Sequence, residues 1–326
     1  MFSKKLKLSI SLIAVILAVL YPVLTGASLY TLTLMIIMLV FIIYASSWNF
    51  LIYTGQGSLG HAAFFGIGAY ASTLIAVTYG LPPFLSIFLG GTFAAVAGLF
   101  IGLICVRLKE WFLAMVTFGF AIIMQTITVS LCGDVSGGWD GIASPRLISS
   151  TVSNYILYEY YLILAVTCVV IIIFYFILES KIGLAFTAIK ENEEEAMAAG
   201  INPMKYKLLA FTISTYFAGV AGALEVHYFA YISPEIYAVD ISFWPIIYSM
   251  AGGMGTLAGP IIGTISVTVL WESMRGLGFT YESYIVIGVL LVLIVIFLPQ
   301  GLVSLPKKLK ERWDQYRELR KDSSDE

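Results

Sequence analysis

Between Lys7 and Arg107 the chain carries no Asp, Glu, Lys or Arg: positions 8–106, 99 consecutive residues. A water-soluble domain covers itself with polar groups, and charged side chains make up about a quarter of an ordinary one. Here they make up 12% of 326 residues, against 60% hydrophobic. Runs of about 20 apolar residues cross a bilayer, and the uncharged stretch holds several in succession. The chain is therefore expected to be an all-α polytopic membrane protein, because a helix satisfies its own backbone polar groups where no water can. Lipid is then the neighbour of much of its surface, and nothing in its charge suits nucleic acid.

Apolar runs place spans near residues 8–25, 30–53, 58–79, 84–106, 111–131, 155–178, 207–231, 240–254, 257–275 and 283–303. Lys4, Lys5 and Lys7 ahead of the first run give it the look of a signal peptide. The next run begins around Tyr30 and the topology needs the first span, so it is expected to be retained. Threaded alternately from an inside N-terminus, the spans leave 16 of the 18 Lys and Arg residues on the cytoplasmic side; only Arg146 and Arg275 fall outside. That split favours cytoplasmic termini and a charged cytoplasmic tail over 304–326. Span 240–254 is short and could pair with 257–275 as a re-entrant hairpin, giving eight crossings instead of ten.

The run GQGSLGHAAFFGIGAY, residues 55–70, puts five glycines and a histidine where a membrane helix should be regular. It aligns with Gly253–Met254–Gly255–Thr256–Leu257–Ala258 at an offset of 198, and four early spans map onto four later ones by the same offset. An internal repeat of like orientation is the expectation. Breaks of this kind mark the substrate region in transporters, where half-helix ends present backbone groups to a ligand. Gly57, Ser58, Gly60, His61, Phe64, Gly255 and Thr256 are accordingly candidates for a substrate pathway. Close helix packing is the competing role, and it suits Gly66, Tyr70, Gly259 and Gly263.

Residues 180–206 form the one strongly charged internal segment. Glu191, Glu193, Glu194 and Glu195 precede helix formers from Ala196 to Ala199, then Gly200 as a stop and Asn202–Pro203 as a turn. Acidic residues in a first turn complement the helix dipole, so a short helix pair on the cytoplasmic face is expected, with a docking surface for a cytosolic partner.

This segment resembles the coupling loop of ABC importer permeases, which sits in a groove of the ATPase subunit. Glu194, Glu195 and Ala196 stand where that family has Glu-Ala-Ala, and Gly200 follows Glu194 by six positions; the second position departs from the pattern. A longer match is to the LivM-type permease subunits of branched-chain amino-acid ABC importers. It is carried by SLGHAAFFGIGAY (58–70), LAMVTFGF (113–120), SGGWDGI (136–142), AIKENEEEAMAAGINPMKYKLLAF (188–211), FAGVAGAL (217–224) and GGMGTLAGPIIG (252–263). The resemblance implies one permease domain over residues 1–326, in the cytoplasmic (inner) membrane. It implies two ABC ATPase subunits, a second homologous permease forming a heterodimer, and an extracytoplasmic substrate-binding protein. ATPase coupling would fall to Glu191, Glu194, Glu195, Ala196 and Gly200. Urea permeases of the same superfamily carry similar words, leaving urea or another small solute as the alternative cargo.

The exterior loop from about Cys132 to Asn154, with Gly137, Gly138, Asp140 and Gly141, is the candidate receptor dock or outer gate; a Gly-rich turn without a partner is the plain alternative. No catalytic constellation is present, and no G-x-x-x-x-G-K-[ST] loop for ATP, so no cofactor is expected and the energy must come from a separate subunit. Cys105, Cys132 and Cys168 lack metal or disulfide spacing and read as small apolar fillers. Glu225 with His227 reads as a satisfied interface pair, and Glu272 with Arg275 as an i, i+3 pair. Asn49, Gln56, Thr117 and Gln125 suit interhelical hydrogen bonds. A secondary transporter acting alone would want ionisable groups at mid-membrane, which the uncharged run does not supply. A scaffold without a pathway would tolerate blocking groups at Ser58 or His61.

Overall fold

The computed structural model describes residues 13, 15–22, 24, 26, 28–108, 110–279, 282–306 and 308. Most of the expected tail from 304 to 326 therefore lies outside the described residues, as do Lys4, Lys5, Lys7 and Lys109. The first expected span is described only in part: residues 15–22 are helical, and the Tyr160 and Tyr161 hydroxyls donate to the Ala18 and Val19 carbonyls at 2.8 and 3.0 Å.

Among the described residues, six helices are long and apolar enough to cross a membrane. They are α1 (Leu29–Ile52), α2 (His61–Tyr79), α3 (Pro83–Cys105), α4 (Glu110–Ser130), α5 (Tyr155–Glu179) and, after two short helices, α8 (Pro203–Phe229). The sequence sets their ends. Ser28 accepts from Thr31 N to start α1, Gly80 closes α2 in the left-handed region at φ +64°, and Pro83 and Pro203 occupy first turns that need no donor. Asn202 caps Lys205 N, so α8 begins four residues before its expected start at 207.

The buried core runs along α8, which packs on α1, α2 and α3. Small residues allow this: a Cβ on Gly68 of α2 would lie 2.3 Å from the Gly219 Cα of α8. In lipid, such close backbone approach replaces the hydrophobic drive as the source of helix association.

Three shorter helices follow: α9 (Val239–Gly252), α10 (Gly259–Gly276) and α11 (Glu282–Phe297), of 14, 18 and 16 residues. At about 21 Å α9 is too short to cross a hydrocarbon layer of about 30 Å, and it turns back through residues 253–258 to pack on α10. The expected repeat is met in part. His61 moved by 198 falls at 259, where α10 starts at Gly259, but α1 moved the same way falls at 227–250 and overlaps α9 only over its second half.

The bundle has two distinct ends. One carries the short helices α6 (Lys181–Glu191) and α7 (Glu193–Ala198) between α5 and α8. The other carries an antiparallel pair of two-residue strands, β1 (Ile142–Ala143) and β2 (Tyr231–Ile232), with Ile142 opposite Ile232.

Candidate functional site

At the α6–α7 end the chain between α1 and α2 does not leave the bundle; it folds back into it. Trp48 Nε1 donates to the Ser58 carbonyl at 2.7 Å, and Leu59 N donates to Thr117 Oγ1 of α4 at 3.2 Å. His61, the first residue of α2, sits 3.0 Å from Ser47 Oγ through Nε2. Ser47 precedes the end of α1 by five residues, so α2 starts about 8 Å inside the bundle. A Cβ on Gly60 would come 1.7 Å from the Thr117 carbonyl oxygen, and glycine alone permits that approach.

The roles at His61 follow from its neighbours. Ser47 Oγ spends its proton on the Tyr44 carbonyl at 2.7 Å, so His61 Nε2–H is the donor toward it. The opposite nitrogen, His61 Nδ1, is buried without a hydrogen-bond partner, as are Ser58 Oγ and the Tyr44 hydroxyl. The Tyr44 ring stacks on the imidazole at 5.4 Å and lies 4.4 Å from Phe65. Ser214 Oγ of α8 donates to the Ser47 carbonyl at 2.6 Å, and Ala62 N donates to Ser242 Oγ of α9 at 3.2 Å. Five helices thus converge on this break.

The second break lies against the first. Asn49 of α1 donates through Nδ2 to the Thr256 carbonyl at 2.9 Å and accepts through Oδ1 from Gly255 N at 2.8 Å. Gly255 adopts φ +69°, and a Cβ there would lie 3.3 Å from the Lys190 ammonium of α6. Of the expected pathway residues, Ser58, His61 and Phe64 are fully buried, while Gly57, Gly255 and Thr256 are half-buried. The amides of Ala62 and Gly255 are engaged by Ser242 and Asn49, so this junction is shut by side-chain hydrogen bonds.

The charged segment 180–206 holds a pair of short helices, as expected. Asn192 caps α7, accepting from Glu194 N and Glu195 N at 3.0 and 3.3 Å while its Nδ2 donates to Glu195 Oε1 at 2.7 Å. Gly200 ends it at φ +83°, and Lys207 pairs with Glu193. Ala196 is buried against the bundle; Glu191, Glu194, Glu195 and Gly200 are exposed. The segment between Glu193 and Met204 borders an open groove of about 410 Å³.

At the opposite end the glycine-rich loop is folded. Gly137, Gly138 and Gly141 all have positive φ, and a Cβ on Gly141 would meet the Ile232 carbonyl at 2.1 Å. Tyr231 donates to the Asp140 carbonyl at 2.6 Å, and Trp139 projects outward. Tyr237, outside the spans, packs its ring on Gly66 and stacks on Tyr70 at 5.8 Å; burial pushes its phenol upward and keeps it neutral.

Three expectations need correction. Gln56, expected to bond between helices, accepts from Thr54 Oγ1 at 3.2 Å, two residues away. His227 does not pair with Glu225: its Nδ1 donates to the Pro145 carbonyl at 2.7 Å and its Nε2 accepts from Ser72 Oγ at 2.8 Å, tying α8 to α2 and the glycine-rich loop. Cys132 is no filler, since it is exposed beyond the end of α4. Other readings hold. Arg275 bonds Glu272 at 3.2 Å, and Gln125 donates to the Pro234 carbonyl at 3.2 Å. The bridging role of Asn49 was legible only as a residue type; its partners stand more than 200 residues away.

Sequence comparison supplies a family. The profile described as "Branched-chain amino acid transport system / permease component" matches residues 30–295. The high-affinity branched-chain amino acid transport system permease protein LivM of Escherichia coli is 30% identical over 274 residues, covering 76% of this chain and 64% of that protein. A probable branched-chain amino acid transport permease protein LivM of Methanocaldococcus jannaschii is 25% identical over 229 residues, covering 64% of this chain and 66% of that protein. The LivH permease of the E. coli system is 27% identical over 132 residues, 40% of this chain and 42% of LivH. The aligned part of the chain thus spans slightly under two thirds of the LivM relatives' length. No solved structure matches.

Proposed function

The chain belongs to the branched-chain amino acid transport permease family, and from that premise we propose that it is a membrane-spanning subunit of an ATP-driven importer of branched-chain amino acids. In this reading the α6–α7 end faces the cytoplasm of an inner membrane, with both termini on that side. One of two ATPase subunits binds the exposed surface of the α6–α7 segment through Glu191, Glu194, Glu195 and Gly200, with Ala196 anchoring α7 from beneath. A second permease of the LivH kind completes the pathway, and a soluble receptor docks on the loop holding Gly137, Gly138, Asp140 and Gly141.

The observation that carries the reading is the junction at Gly255. It brings the coupling segment, through Lys190, within reach of the hairpin turn, and Asn49 ties that turn to the end of α1. A helix that only decorated the surface would have no such connection. Closure of the ATPase pair displaces α7 and α6; Lys190 and Asn49 pass that displacement to residues 253–258 and 53–60. There the hydrogen bonds from Trp48, Asn49 and Ser242 hold the gate shut. Opening it exposes Gly57, Ser58, Gly60, His61, Phe64, Gly255 and Thr256 to the cargo, whose specificity the receptor sets beforehand.

The test is charge reversal on the exposed face. Glu194→Lys with Glu195→Lys should abolish leucine uptake in proteoliposomes holding the complete importer, or release the ATPase during purification, while the permease still inserts. Unchanged uptake with the ATPase still bound overturns the docking role.

A further inference from the structure

Glu225 lies on α8 four residues before its last, near the sheet end of the bundle. A carboxylate at membrane depth is costly unless paired. Among the described residues Glu225 makes neither a hydrogen bond nor an ion pair. His227 is held by Ser72 and Pro145. Arg146 donates to the Tyr228 carbonyl and covers the Tyr155 ring at 5.0 Å. Glu159 accepts from Ile148 N.

The direction in which Glu225 points follows from helical spacing. Residues 214, 218, 221 and 225 share one face of α8. Ser214 on that face touches Ser47 of α1, and Gly222 alongside it backs onto the Phe65 carbonyl of α2, where a Cβ would stand 2.1 Å away. Glu225 therefore faces the seam between α1 and α2, one turn beyond Gly222, above the small side chains of Ala218 and Ala221. Part of the residue's surface stays exposed. On the α1 side stands Tyr44, fully buried, its hydroxyl without a partner among the described residues and its ring against His61 and against Phe65, whose carbonyl meets Gly222.

An accessible carboxylate and an unpartnered phenol oxygen, walled by an aromatic ring and small apolar residues, suit a primary ammonium group on a mostly apolar molecule. We propose that Glu225 and Tyr44 form a subsite that holds the ammonium of the amino-acid cargo between α1, α2 and α8. The ammonium donates to the carboxylate, a charge-assisted bond strengthened by low surrounding polarity, and to the Tyr44 oxygen. Its arrival gives the buried acidic group the partner the fold withholds. The inference rests on the cargo being an amino acid, as proposed above.

The experiment uses the complete importer, with its ATPases, partner permease and receptor, in proteoliposomes supplied with radiolabelled leucine and ATP. Glu225→Gln should lower uptake by ~10-fold or more, the loss expected for one charged hydrogen bond, while receptor-stimulated ATP hydrolysis stays within about twofold of wild type. Tyr44→Phe should lower uptake about threefold, the loss expected for one weaker neutral bond. Uptake by Glu225→Gln within about twofold of wild type overturns the subsite. Should that variant fail to assemble, Glu225→Cys decides, in a background with Cys105, Cys132 and Cys168 replaced by Ala. A thiol reagent that adds a carboxylate should restore uptake and one that adds an amine should not; equal outcomes with both reagents overturn the proposal. A wild-type importer that carries no branched-chain amino acid overturns the functional reading itself rather than the placement of Glu225.

Discussion

The two glycine-rich breaks look alike in sequence and behave differently in the fold. The first, residues 53–60, is held through Ser58 by Trp48 of α1 and through Leu59 by Thr117 of α4, while Ser242 of α9 and Ser214 of α8 fix the adjoining helix ends at Ala62 and Ser47. Its critical glycine, Gly60, has φ −117°, which any residue can adopt; glycine is required there for closeness to the Thr117 backbone. The second, residues 253–258, exposes Met254 and Ala258 and bonds partly to itself, Thr256 Oγ1 donating to the Gly253 carbonyl at 2.9 Å and accepting from Gly259 N at 3.0 Å. Gly255 is needed there for its left-handed backbone, while the atom nearest its missing Cβ is the tip of a flexible lysine. One break is a fixed point of the core. The other is a partly exposed turn beside α6, packed on Gln300 and Gly301 at Gly253 and tied to α1 by Asn49.

The largest effect should therefore come from filling Gly60. Gly60→Ala drives a methyl into a backbone carbonyl, and the helices must part to admit it; overpacking of this kind costs about 1–3 kcal/mol and more when backbone is the obstacle. Gly255→Ala carries only the left-handed strain of about 1–2 kcal/mol, because Lys190 can swing aside. Melting of the purified complex in detergent, together with its yield, distinguishes them. If Gly60→Ala is tolerated as well as Gly255→Ala, the first break is not the fixed point.

Asn49 should come next. Asn49→Ala strips partners from Gly255 N and the Thr256 carbonyl, a loss of about 1–3 kcal/mol, and it frees the second break from the first. ATP hydrolysis should persist while leucine moved per ATP falls. Asn49→Asp keeps the acceptor for Gly255 N and loses the donor to Thr256, so its loss should be intermediate. Equal coupling ratios in Asn49→Ala and wild type would show that the two breaks move independently.

Local chemistry explains which of these features the sequence announces. The acidic run, Gly200 and Asn202–Pro203 specify a helix, a stop and a restart within 25 residues of chain, and the segment folds that way. The offset of 198 anticipates where α10 starts because Gly259 and Pro260 govern that helix start. Pairings between distant elements are another matter. Glu225 and His227 are neighbours in sequence, yet two residues apart on a helix they point in different directions. The partners of His227, Ser72 and Pro145, are fixed by how α2 and the glycine-rich loop pack. The depth of His61 likewise depends on Thr117, Ser214 and Ser242, which no spacing rule connects.

The smallest effect on stability, and the sharpest on the contrast between the breaks, should come from Lys190. Three helix C-termini meet near Gly255: α1 at Ile52, α6 at Glu191 and α9 at Gly252. The negative ends of their helix dipoles make the region electronegative, and a cation there is favourable by a few tenths of a kcal/mol at an exposed position. Lys190 is exposed, so Lys190→Met should shift stability by no more than about 0.5 kcal/mol. Its effect belongs to the second break alone: coupling of hydrolysis to uptake should fall, whereas Lys190→Arg, which keeps charge and reach, should retain it. The same substitution combined with Asn49→Ala should add little further uncoupling, because both act on the same turn. Full additivity of the two would place Lys190 on a separate route from the ATPase to the gate.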